Sequence, residues 1–202
     1  MQRSASPESQ SSMERLIQHF AGWVLYPLGD LVGQIIMDDV NPVRYIAVMI
    51  AGGIIYRFEI PRWFHFLDSF RLSIDTEHRF PLLRRLVHED DTGLRLNWLG
   101  KTLGAALYFN PLWIARHLFF IKAATLVGPD MNWYTDVDFV AIIIASLKSG
   151  TISFFTNLPI ALIGNYLIQE HMNLRYRFAG SAALTTVLNA KYAIEFALFS
   201  KM

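Results

Sequence analysis

The chain has 202 residues, 53% hydrophobic and 14% aromatic, with a mean hydropathy of +0.30. That is richer in apolar residues than an ordinary soluble domain, and the length suits one domain better than two. A formal net charge of +1 implies no general attraction to nucleic acid, and with no cysteine there are no disulfides, thiolate metal sites or cysteine nucleophiles.

Residues 1–13 are polar and serine-rich and read as a flexible tail. Arg3 is its only base and no apolar core precedes Leu16, so it makes a poor secretory signal. Residues 14–202 read as a single integral membrane domain: an all-α, polytopic bundle of four to five spans with kinked helices.

The first apolar segment, Glu14 to Met37, ends in YPLGDLVGQIIM. Gly29 and Gly33 form a G-x-x-x-G face for close helix packing, and Pro27 predicts a kink. Asp30 and Gln34 share another face. A carboxylate at hydrocarbon depth is expected to turn inward and find a partner; Arg57 and Arg44 are the candidates.

Asn41 followed by Pro42 predicts a helix start. The second segment carries Gly52 and Gly53 as another small-residue face, is predicted to break at Pro61, and ends at an interfacial cluster around Trp63. Residues 67–95 form a polar loop, in which FPLLRRLVHED predicts a short surface helix.

Segment three, Leu96 to Val127, would be about 48 Å long as one helix, so Pro111 is expected to divide it. Arg116, His117 and Lys122 in its second half are candidates to hold an anionic lipid headgroup. An acidic loop with Trp133 and Tyr134 follows as a headgroup-level anchor. Segment four, Phe139 to Gln169, contains Asn165 as a further polar interior candidate, with Gly150, Pro159 and Gly164 as expected break points. Segment five, Phe178 to Phe199, holds Lys191 and Glu195 at ion-pair spacing. With five crossings, most loop arginines fall on one face and the acidic turns on the other.

No phosphate-cradling loop, H-E-x-x-H or nucleophile elbow is present. The six histidines (His19, His65, His78, His88, His117 and His171) show no ligand spacing. The expectation is a protein without catalytic residues, metal or cofactor.

The spacing of these features resembles the family of Mpv-seventeen and the twenty-two-kilodalton peroxisomal membrane protein. Gly29, Asp30 and Gln34 match that family's G-D-x-x-x-Q; Arg44, Gly52, Trp63, Phe64, Leu67 and Asp68 match its second helix. Lys101 and Pro111 match the third, and Pro159, Asn165 and Tyr166 the fourth, with Arg175 and Arg177 after it. The family's D-Q pair in helix three falls on Ala105 and Ala106, and its W-P-x-x-Q becomes Leu158, Pro159 and Leu162.

The resemblance implies a protein of the mitochondrial inner membrane or, as the alternative, the peroxisomal membrane. Its partners would be the lipid bilayer, anionic lipid such as cardiolipin, and other membrane subunits. Loss of the polar positions favours a packed accessory subunit of a larger assembly, because a conduit without polar lining is hard to hydrate. The rival reading is a small-solute pore of the same fold.

Overall fold

Pro27 shapes the first helical rod. Helix α1 (Ser12–Phe20) runs through a π-helical turn (Ala21–Leu25) into α2 (Tyr26–Ile36) with helical dihedrals throughout. Proline lacks an N–H and its ring crowds the carbonyl four residues back. The wider turn just before it makes room, and the Tyr26 N–H reaches back to the Ala21 carbonyl. The computed structural model describes residues 12–72, 81–90, 93–109, 111–125 and 138–199.

The second rod uses the same device: α3 (Pro42–Ile50), a π turn (Ala51–Tyr56) and α4 (Arg57–Ser69). Asn41 caps α3, its side chain accepting the Arg44 N–H at 3.0 Å. The expected break at Pro61 does not occur. Ile60, Phe64 and Leu67 are buried on one face of α4 and hold the helix together across the proline.

In the third rod, α5 (Trp98–Tyr108) gives way to α6 (Pro111–Thr125) at the expected proline, with Phe109 leaving the helix at ψ 43°. The fourth is a single helix of 33 residues, α7 (Phe139–His171), again without the expected breaks. Its small residues serve packing instead: Gly150 lies against the backbone of Ala115 and Pro111, and Gly164 meets Leu184. The fifth, α8 (Arg177–Phe199), follows a short 3-10 turn (Leu174–Tyr176). Among the described residues the result is an all-α bundle of five bent helices, with α2 packed chiefly on α8 and α6 on α7.

The polar loop departs from expectation. Instead of a surface helix, Pro81–Arg85 makes a 3-10 turn and the chain then enters a small antiparallel sheet. Its strands are β1 (Arg71–Leu72), β2 (Val87–Asp90) and β3 (Gly93–Leu96), in the order β1-β3-β2. Val87 faces Leu96 and Leu72 faces Leu94, so apolar groups that suit a helix face are used in cross-strand pairs. The tail before Ser12, the loop with Trp133 and Tyr134, and the side chain of Glu195 lie outside the described residues.

Aromatic rings fill the core. Tyr26 and Tyr56 are buried with ring centroids 5.1 Å apart, and Trp113 lies 5.0 Å beyond Tyr56. The first two rods touch backbone to backbone where Gly22 meets Gly52. Gly29 packs on Thr186 of α8, while its neighbour Gly33 turns to an internal cavity, so the G-x-x-x-G face serves two purposes. Gly53 lies under the Trp23 ring. Among the described residues one helix, Phe139–His171, is long and apolar enough to cross a membrane by length and composition.

Candidate functional site

The turn between the first two rods is short, so the end of α2 faces the start of α3. There Arg44 grips Asp30 with a fork: Nε donates to Oδ2 at 3.0 Å and Nη2 to Oδ1 at 2.5 Å. Gln34, one turn along α2, donates to Asp30 Oδ2 at 2.6 Å and accepts the Asn41 N–H at 2.7 Å. Asp30 is 2% exposed and Gln34 fully buried. A buried carboxylate thus has a cation and a second donor, the condition under which it is tolerated.

Arg57, the other candidate partner, does not reach this group. It lies about 20 Å further along the second rod at 1.5 Å per residue, where it contacts the His19 ring and stacks over Phe58.

A second polar cluster closes the other end of the bundle. Asp68, at the end of α4, takes Lys101 Nζ at 2.8 Å and Arg177 Nη1 at 2.8 Å. Arg177 also donates to the Gln169 side chain at 2.9 Å, the Gln169 carbonyl at 2.8 Å and the Met172 carbonyl at 3.2 Å, satisfying the end of α7. Burial alone would raise the Asp68 carboxyl, but the hydrogen bond and charges from Lys101 and Arg177 outweigh it and hold it below the usual carboxylate range. These three residues come from separate motifs of the sequence and meet only in the fold.

A cavity of about 150 Å³ lies within the bundle. Asp30 and Arg44 bound it at one end; Asn165 lines the far wall, one turn of α7 before the Gln169 that Arg177 holds. Ser149, Ser153, Asn157, Ala161 and Asn165 all face it, each four residues from the next along α7. Ser181, Thr185 and Asn189 repeat that spacing on the facing α8. Such a period keeps a row of side chains on one helix face.

Asn157 donates to Ser153 Oγ at 3.2 Å and accepts from Lys191 Nζ at 3.3 Å. Asn165 is 1% exposed; its Nδ2 donates to the Ala161 carbonyl at 2.8 Å, while its buried Oδ1 has no protein donor. A buried acceptor left so is costly. The space could hold about five waters at ~30 Å³ each, or one small polar molecule.

The three lipid-headgroup candidates separate. Arg116 is committed within the protein, its Nη1 and Nη2 donating to Glu59 at 3.1 and 2.8 Å. His117 turns inward, with Nδ1 at 3.0 Å from the Tyr56 hydroxyl and its ring on the cavity wall. Lys122 is in the last turn of α6, away from both. Among the described residues no group of three or more His, Asp or Glu is placed to hold a metal.

The polar interior residues expected from the sequence are Asp30, Gln34, Arg57 and Asn165. Ser149, Ser153 and Asn157 of α7 and Ser181, Thr185 and Asn189 of α8 were missed, although their signal was available as polar residues four apart within apolar helices. No family model, no curated protein and no solved structure matches the chain.

Proposed function

We propose that the chain is a non-catalytic, polytopic membrane protein whose internal polar cavity is the middle of a path for a small solute. Only 11% of the most apolar window of α7 is buried. Val140, Ile144, Phe155 and Ile163 of that helix are more than half exposed, a surface that water would penalise and lipid would not. The first two rods, Ser12–Ile36 and Pro42–Ser69, and the last, Arg177–Phe199, add long helices that present Leu28, Ile46, Ile54 and Val187 outward in the same way.

The observation that carries the conduit reading is the double row of hydroxyl and amide side chains on α7 and α8. Polar groups on the inside of a lipid-facing bundle mark solute paths, and these can replace part of a solute's hydration shell. The ion pair of Asp30 and Arg44 and the cluster around Asp68 lie toward opposite ends and would close the path in this state. The resemblance to the Mpv-seventeen family favours the mitochondrial inner membrane as location, with the peroxisomal membrane as the alternative.

A packed accessory subunit is the second reading, favoured by Ala105 and Ala106, which are buried at positions where the resemblance calls for a carboxylate and an amide. Because the chain has no cysteine, single-cysteine labelling separates the two. In proteoliposomes, Ser153→Cys should react with a charged, water-soluble thiosulfonate, since thiolate formation needs water; Ile163→Cys, on the outer face, should be shielded by lipid. Protection of Ser153→Cys would favour the packed subunit, and labelling of Ile163→Cys would count against the membrane setting.

A further inference from the structure

A second concavity, of about 950 Å³, opens on the outside of the bundle between α4 and the junction of α5 with α6. We propose that it seats one anionic phospholipid. The inference rests on the bundle lying in a bilayer and is independent of the internal path.

Two features of the groove point to this occupant. Its walls are large and apolar: Phe58 and Phe66 from α4 face Leu107 and Leu112 across it, each at least 46% exposed. Trp63 and Tyr108 pack together at its base, ring centroids 5.5 Å apart, and Trp63 Nε1 is already spent on the Gly104 carbonyl at 3.1 Å. Acyl chains, not a hydrogen-bonding solute, suit such walls.

The groove also carries a surplus cation. Glu59 is occupied by both terminal nitrogens of Arg116, and the buried Arg116 Nε has no protein acceptor. Arg62 reaches only the Phe58 ring, at 5.8 Å, and no carboxylate among the described residues pairs with it. Two guanidiniums against one carboxylate leave the groove positive, complementary to a phosphodiester.

Arg62 stands about 10 Å from the end of α4 at 1.5 Å per residue, near the level where headgroups begin. Its charge can meet a phosphate there while the chains run deeper, along Phe58 and Leu112. A second protein copy would have to bring its own carboxylate to the same depth, and free phosphate would leave the aromatic walls uncovered.

The test is thermal unfolding of the purified full chain in detergent, titrated with dioleoyl phosphatidylglycerol, dioleoyl phosphatidylcholine or inorganic phosphate. Phosphatidylglycerol should raise Tm by several degrees more than phosphatidylcholine, and phosphate should do nothing. Arg62→Gln, an exposed position whose loss leaves the fold intact, should abolish the difference, and Arg62→Lys should keep part of it. Leu112→Trp, which fills the groove, should abolish it without removing charge. Equal shifts with both lipids, a preference that survives Arg62→Gln, or a dimer that Leu112→Trp dissociates would overturn the proposal. A chain that stays monodisperse without detergent, or labelling of Ile163→Cys in proteoliposomes, would overturn it together with the membrane setting, whereas protection of Ser153→Cys would leave it standing.

Discussion

Asp30 on α2 and Arg44 on α3 form a forked ion pair across the turn that joins the first two rods, with contacts of 2.5 to 3.2 Å. The pair ties those rods together at one end of the cavity. Removing Asp30 leaves the part-buried Arg44 uncompensated, so Asp30→Ala should lose about 3 kcal/mol, the lower end for a broken buried pair. The double substitution Asp30→Ala with Arg44→Ala should cost less than the two singles combined. Arg57→Ala, which touches neither, should stay within about 1 kcal/mol of the parent. Melting in detergent checks all four, and an Arg57→Ala loss equal to that of Asp30→Ala would contradict the assignment.

Asp68 sets an acid limit. Its carboxyl is held below the ordinary carboxylate range by Lys101 and Arg177. A depressed group stabilises the fold above its unfolded pKa, near 3.9, and that contribution disappears as pH falls through the folded value. The parent should therefore lose stability on acidification below about pH 4 more steeply than Asp68→Asn, which starts lower and has no such term. Melts between neutral pH and pH 3 should show the two curves converging. Parallel curves would place the acid-sensitive group elsewhere.

Gly29 marks the closest approach of α2 to α8, where an added Cβ would come within 2.8 Å of the Thr186 Cα. Backbone cannot yield as a side chain can, so Gly29→Val should cost on the order of 1–3 kcal/mol or more. Gly180→Ala meets side chains alone, the flexible thioether of Met172 and then Ile168 Cγ1, and should be milder. A melting series comparing the two would fail this account if Gly180→Ala proved the more damaging.

What could be read from the sequence was local. Asn41 and Pro42 mark a helix start by chemistry confined to one turn, and Pro111 marks a helix boundary in the same way. Asp30 with Gln34 is an i,i+4 pair visible in any helical reading. Choosing Arg44 over Arg57 as the partner needed the geometry of the turn, because both lie on the same rod. The sheet was hidden for a related reason: β1 pairs with β3 across more than twenty residues, and Leu86 and Val87 fit a helical face as well as a strand. The cavity wall was legible yet diluted. Ser149, Ser153 and Asn157 are scattered through a mainly apolar helix, and only the facing row on α8 gives their spacing a meaning. Pro61 and Pro159 show the opposite limit, where burial and packing of the flanking turns override a local break signal.

The central claim is that solute passes through the interior lined by α7 and α8. It is tested most directly by the swelling rate of proteoliposomes in a small neutral polyol. The parent should swell faster than empty liposomes, and Ser153→Leu and Asn157→Leu, which replace polar wall with hydrocarbon, should return the rate toward the empty control while the protein remains folded. A folded, inserted parent no faster than empty liposomes, or leucine variants as permeable as the parent, would contradict it.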